Sequence, residues 1–227
     1  MNTGMHRHVI LALLGSVLLA SGCATTGDDL PAMTSDGLMR IDSKKVDAVY
    51  WQEGATLEGY TAVAILEAPV SFRKDWMRDY NRNQMGLGNR VHESDMERIK
   101  GELSRAFHEE FSKVLADRGY SVVEQTGEAV LLLRPAIVDL DVTAPDLRSA
   151  TRSTTFAADP GQMTLYMELY DSVTGDKIGE VADRQGGRSS ARLEWSNAVT
   201  NRAEARRILR RWANLLADAL DEANDRG

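Results

Sequence analysis

The chain has 227 residues, of which 43% are hydrophobic and 27% charged, so it belongs with ordinary globular proteins and not with collagen-like, low-complexity or wholly disordered chains. Its formal charge is −7, and its single cysteine, Cys23, excludes an intramolecular disulfide framework and any multi-cysteine metal cluster. The folded part must rest on its own apolar core.

Residues 1–22 read as a targeting segment. A short polar start containing Arg7 precedes an apolar run from Val9 to Ala20. At ~1.5 Å per residue that run spans about 18 Å, well short of the ~30 Å hydrocarbon core of a bilayer, so a signal-peptide apolar region fits better than a transmembrane helix. Leu19-Ala20-Ser21-Gly22-Cys23 resembles a bacterial lipobox, with Ala20 where leucine is favoured. The lipobox implies that the Cys23 thiol takes up a diacylglycerol. The competing reading is a conventional signal peptide cut nearby, with Cys23 left as a free thiol.

Cleavage before Cys23 removes Arg7 and no acid, which takes the formal charge from −7 to −8. That charge argues against nucleic acid as a partner and against loose electrostatic attachment to anionic lipid. Acyl chains on Cys23 are the expected membrane partner, since each buried methylene contributes ~0.8 kcal/mol. Ala24 follows the cysteine, and resemblance to the enterobacterial sorting pattern implies the outer membrane, with the domain on its periplasmic face.

From Ala24 to about Lys45 the chain is rich in Thr, Asp, Gly, Ser and Pro, which predicts a flexible tether over 23–45, although Leu30, Met33, Leu38 and Met39 could still dock onto the domain. Residues 46–227 then suit one domain. Strands are expected over Val46–Trp51 and Tyr60–Phe72, the latter broken at Pro69, with a loop from Arg73 to Val91. Ser94 and Glu97 form a capping-box pattern. The stripe Met96, Ile99, Leu103, Phe107, Phe111, Val114 and Leu115 predicts a helix that ends at Gly119.

Tyr120–Val123 and Ala129–Val142 read as strands, the second with an apolar run, Val130–Leu133, of the kind found where both faces are covered. A loop is expected over Asp146–Gly161. Met163–Tyr170 alternates at strand period, and the turn residues Asp171–Asp176 lead into a return strand with Ile178, Val181 and Ala182. A second amphipathic helix is expected over Arg202–Ala223, capped by Asn201, with Ile208, Leu209, Trp212, Leu216 and Leu220 on its apolar face. The expected class is α+β, a single mixed or antiparallel sheet of about six strands with two amphipathic helices packed on it.

Candidate chemistry is sparse. Catalysis by a Ser-His-Asp or Cys-His arrangement needs a histidine base, and the chain beyond Cys23 offers only His92 and His108. His108 lies about 100° round the helix from Phe107, where a solvated position is the simpler reading. Asp139 and Asp141 are two apart on an expected strand, hence on one face and a conceivable acid-base pair. Asp171 and Asp176 lack the spacing of a calcium loop, and no phosphate-binding or dinucleotide fingerprint is present. No catalytic residue, metal site or cofactor is therefore expected. Arg202, Arg206 and Arg210 form a row on the last helix, with Arg207 and Arg211 beside it and only Glu204 placed to pair within the helix. The row is a candidate anion-binding patch, unless acids elsewhere in this acidic domain pair with it.

Several segments together carry a resemblance. The lipobox, Gly59-Tyr60 opening an apolar strand, Arg118-Gly119-Tyr120-Ser121-Val122-Val123 after a helix, Ile137-Val138-Asp139-Leu140, and Tyr170-Asp171-Ser172-Val173-Thr174-Gly175 resemble bacterial outer-membrane lipoproteins of the domain of unknown function family 3313. The resemblance implies an envelope lipoprotein without an established activity, and it carries no catalytic residue to this chain. The expected function is non-enzymatic, a binding or accessory subunit of an envelope or transport assembly with a possible envelope protein partner. Two alternatives stay open. One is a periplasmic hydrolase, the other a binder of lipid, lipopolysaccharide or peptidoglycan.

Overall fold

Hydrophobic alternation and turn chemistry place the strands. The computed structural model describes residues 30–82, 84, 90–142, 155–157, 161–186, 194–196 and 198–226. The signal segment, Cys23 and the start of the expected tether lie outside the described residues. Pro31–Gly227 is one compact unit. It contains β1 (Met39–Ile41), β2 (Ala48–Trp51), β3 (Ala62–Ile65), β4 (Val70–Phe72), α1 (Trp76–Arg82), α2 (Glu93–Asp117), β5 (Ser121–Val123) and β6 (Val130–Asp141). After these come β7 (Thr155–Ala157), β8 (Gln162–Asp171), β9 (Lys177–Gly186), β10 (Glu194–Ser196) and α3 (Ala198–Ala223).

The fold is α+β, with a mixed eight-stranded sheet in the order β1-β2-β9-β8-β6-β3-β5 and β4 also paired to β6; β7 and β10 form a separate pair. The described residues thus hold more strands than the expected six, and three helices instead of two. The additions are short. A three-residue strand gives too few alternations to be legible, and α1, inside the expected Arg73–Val91 loop, is two turns long. Burial of Trp76 fixes α1: its ring stacks on Phe72 (centroids 4.3 Å) and Tyr80 (5.6 Å), and its Nε1–H donates to the Val142 carbonyl (3.2 Å).

β3 pairs in parallel with both β5 and β6, and α2 supplies the crossover from the β3–β4 region to β5. β8 and β9 form a long antiparallel hairpin whose turn is set by Asp171. Its Oδ1 accepts the Val173 and Thr174 N–H groups (2.9 and 2.8 Å), and Gly175 takes the positive φ of 74° that the turn requires. Tyr60 O–H donates to Asp171 Oδ2 (2.8 Å), tying the approach to β3 to this turn.

α2 starts one residue before the expected cap. His92 holds the N-cap position, and its N–H donates to Asp95 Oδ2 (3.1 Å). The helix ends in a Schellman motif at Gly119 (φ 83°), with Gly119 N–H donating to Ala116 O (3.0 Å) and Tyr120 N–H to Leu115 O (2.9 Å). α3 starts at Ala198, so Asn201 lies inside it and is not its cap.

Phe107, Phe111 and Leu115 of α2 and Leu209, Trp212, Ala213, Ala217 and Leu220 of α3 pack with Val63, Leu131, Leu133, Ile137, Leu165 and Leu169 of the sheet. Ala213 and Ala217, one turn apart and fully buried, keep that surface of α3 small where it packs. Both helices cover the same sheet face. The Val130–Leu133 run is therefore not enclosed on both sides: Leu131 and Leu133 are buried in the core, Leu132 is half-buried and Arg134 is exposed.

The expected tether is also shorter than 23–45. Thr34 N–H donates to Leu38 O (2.9 Å) and Arg40 N–H to Ala32 O (2.8 Å), which folds Pro31–Ile41 into a hairpin on the edge of the sheet. Leu38 is only 1% exposed, packed with Ala48, Tyr50 and Ala182, and Asp36 pairs with Lys177 Nζ (2.6 Å). The docking left open for Leu38 is thus what holds the segment, together with one ion pair that polar composition does not reveal.

At Gly179 of β9 an added Cβ would lie 2.3 Å from Trp51 Cε3. The indole ring occupies the place of a side chain. Gly179→Ala is expected to lower stability by about 1–3 kcal/mol, because the ring must move within a packed edge. Gly186→Ala on the same strand meets nothing closer than 3.6 Å and should stay within about 0.5 kcal/mol of wild type. Urea midpoints check both, and equal midpoints for the two variants would refute the role given to Trp51.

Candidate functional site

The arginine row of α3 is built against α2. Arg206 donates to Glu110 Oε1 (2.8 Å) and Glu109 Oε2 (2.7 Å), Arg210 Nε donates to Glu110 Oε2 (3.1 Å), and Arg202 Nε stands 3.6 Å from Glu102. Arg207 pairs with Glu204 on its own helix, and Arg211 pairs with Asp183 of β9. The row is therefore charge-compensated by acids about 100 residues upstream in the chain. Arg202, Arg206 and Arg210, expected as an anion-binding patch unless acids elsewhere pair with them, thus face acids of α2. Helix spacing shows partners only within one helix, so the pairing across α2 and α3 was invisible to it.

Glu110 is the pivot of that interface, 4% exposed between two arginines. Burial pushes its carboxyl up, and hydrogen bonds from Arg206 and Arg210 outweigh burial and hold it below the ordinary range. At the far end of the helix pair Asp221, also buried, accepts from Arg118 Nη1 (2.5 Å) and Tyr120 O–H (2.9 Å), while Asp218 accepts from Arg118 Nη2 (2.8 Å).

Asp183 joins α3 to the sheet. Its Oδ2 accepts from Trp212 Nε1 (2.7 Å), Arg211 Nη1 (2.9 Å) and Gln185 Nε2 (2.9 Å), and its Oδ1 accepts the Asp47 N–H (3.3 Å). Arg211 Nη2 also reaches the Lys45 carbonyl (2.7 Å).

The sheet face away from the helices carries a charged ladder. Register places Arg134, Glu168 and Glu180 side by side across β6, β8 and β9. Arg134 Nε donates to Glu168, Lys177 Nζ contacts Glu168 (2.7 Å) and Glu180 (3.5 Å), and both cations lie over the Tyr170 ring (5.5 and 5.9 Å). Burial pushes the Glu168 carboxyl up, but Lys177 and Arg134 outweigh it and hold it low; burial keeps the Tyr166 and Tyr170 phenols protonated well above neutral pH. Sequence alternation placed Tyr166, Glu168 and Tyr170 on one face of a strand, and only the register reveals their partners.

The remaining candidates do not converge. A bulge in β6 between Val138 and Asp141 breaks the alternation, so Asp139 and Asp141 are not the expected one-faced pair. Asp139 is exposed in the left-handed region (φ 52°), while Asp141 accepts from Arg73 Nε (2.6 Å). His92 caps α2, and His108 lies on its exposed face with Nδ1 3.4 Å from the Ser112 hydroxyl. Cys23 lies outside the described residues.

A cleft of about 60 Å³ at the end of β6, lined by Leu140, Asp141, Gly161, Met163, Glu204 and Ile208, has room for about two water molecules. Among the described residues no group of three His, Cys, Asp or Glu side chains could hold a metal ion. The arrangement as a whole binds element to element.

Glu110→Gln removes the charge that both Arg206 and Arg210 engage, and a loss of about 1–3 kcal/mol at pH 7 is expected. The folded carboxyl titrates below its ordinary value of 4.5. Its contribution is thus present above that value and lost as pH falls below it, so wild type and Glu110→Gln should converge in urea midpoint on acidification. A gap that persists at low pH would contradict the assignment.

No curated protein matches the chain. Among solved structures, the PelC dodecamer from Paraburkholderia phytofirmans is similar at 12% identity, covering 72% of this chain and 95% of that one with a TM-score of 0.35. A hemagglutinin homolog from Helicobacter pylori is similar at 12% identity, covering 74% of this chain and 89% of that one, also with a TM-score of 0.35. The family model described as "Protein of unknown function (DUF3313)" matches residues 33–216, from the N-terminal hairpin through most of α3. With most of its length so matched, the chain belongs to the DUF3313 family.

Proposed function

We propose that this protein is an outer-membrane-anchored lipoprotein of the periplasm whose domain serves as a non-enzymatic binding or accessory subunit of an envelope or transport assembly. The observation that carries this reading is the position of Cys23, the only cysteine in the chain, among small residues at the end of a 12-residue apolar run. Among the described residues no helix is long and apolar enough to cross a membrane, and in this reading acyl chains on Cys23 supply the attachment. The non-enzymatic part is supported by what the buried charges do. Glu110, Glu168, Asp183 and Asp221 are each engaged by arginine or lysine from another element or strand.

The test is the mass of the mature protein expressed in a two-membrane bacterium, together with its fractionation. The expected chain begins at Cys23, carries the added mass of a diacylglycerol and an N-linked acyl chain, and sediments with outer membranes. Cys23→Ser should move it to the soluble fraction. An unmodified Cys23 thiol on a membrane-bound protein would refute the anchor.

A further inference from the structure

Six large hydrophobic side chains are exposed among the described residues, and they are unevenly placed. Leu66 and Val173 lie outside the N-terminal hairpin and Leu30 precedes it, whereas Met33 (54% exposed), Met39 (48%) and Ile41 (45%) lie together in it. Met33 bridges Met39 in antiparallel register, and β1 pairs Met39 with Trp51 and Ile41 with Val49. Residues directly opposite one another in an antiparallel pair share a face, as do residues two apart on one strand. The three exposed side chains therefore form one apolar ledge, continued inward by the half-buried Val49 and Trp51, on the outermost strand of the sheet.

Chain length says what covers this ledge. Met33 is 10 residues from Cys23. Ten residues reach at most about 33–36 Å when fully extended, so an acyl anchor on Cys23 would hold the ledge within that distance of a bilayer. Charge agrees with it. Over residues 33–51 the bases Arg40, Lys44 and Lys45 balance the acids Asp36, Asp42 and Asp47, in a chain whose formal charge is otherwise clearly negative. Apolar side chains with a neutral surround suit a lipid interface, where an added apolar contact reinforces an acyl anchor.

We propose that Met33, Met39 and Ile41 form a lipid-docking ledge that seats the domain on the surface of the membrane in which the Cys23 acyl chains are embedded. This rests on the acylation of Cys23 proposed above, and the experiment separates the two.

Acylation consumes the only native thiol, so Met39→Cys and, as a control, Val173→Cys each accept one environment-sensitive fluorophore. The full acylated chains are placed in phosphatidylcholine vesicles that contain a bilayer-embedded quencher. Emission from position 39 should shift to the blue and be quenched severalfold more than emission from position 173. Adding Met33→Ser and Ile41→Ser should abolish the difference, with circular dichroism unchanged. Equal quenching at 39 and 173 in a chain of the correct acyl mass overturns the ledge and leaves the anchor standing; absence of the acyl mass overturns both. Shielding of position 39 in the soluble Cys23→Ser chain, with a doubled mass by light scattering, would assign the ledge to a second copy and overturn lipid docking.

Discussion

One buried carboxylate constrains how this sheet meets its helices. Asp183 stands on β9, on the face that α3 covers, and is 1% exposed. A charge in that position is costly unless its oxygens are filled, and here an indole N–H, a guanidinium, an amide and a backbone N–H fill them. Those donors come from α3, from β9 itself and from the segment entering β2. Their common acceptor fixes the rotation of α3 about its axis, since Trp212 must point at the sheet while Arg211 reaches past it to Lys45. Glu110 and Asp221 extend the same logic to the contact between α2 and α3, one toward each end. An acidic protein thus places a run of arginines on one helix without exposing an uncompensated patch.

What could be read in advance follows from where the determining interactions lie. The stripes of α2 and α3 and the alternation of β8 are repeated over many residues, and each repeat reports the same buried face, so these elements were legible. The Asp171–Gly175 turn was legible because its chemistry is local. β1 was not, since three residues carry no period and the hairpin is held by Leu38 and by the Asp36–Lys177 pair, 141 positions apart. α1 was missed for a similar reason: its stability comes from the stacking of Trp76 in the core and from a bond to Val142.

The candidate sites show the same division. A bulge in β6 undid the pairing of Asp139 with Asp141, and bulges leave no mark in a pattern of alternating residues. Helix geometry correctly gathered Arg202, Arg206 and Arg210 into one row, but their acids belong to another helix. The charged ladder of Arg134, Glu168, Lys177 and Glu180 exists only through strand register. By contrast Cys23 needs no tertiary partner to be recognised, which is why the functional reading rests on the N-terminal segment and not on the folded domain.

In the function proposed above the N-terminal segment sets place, while the buried charges of the domain hold its elements together. Residues kept for chemistry tend to cost stability, so replacing them tends to raise it, whereas residues kept for cohesion behave in the opposite way. The most direct measurement is the urea unfolding free energy of Asp183→Asn, which keeps the shape of the side chain and removes its charge. A loss of at least about 2 kcal/mol is predicted, because Arg211 then loses its counter-charge and a matched set of donors faces an amide. An unchanged or higher stability would contradict the claim that these buried carboxylates hold the fold together.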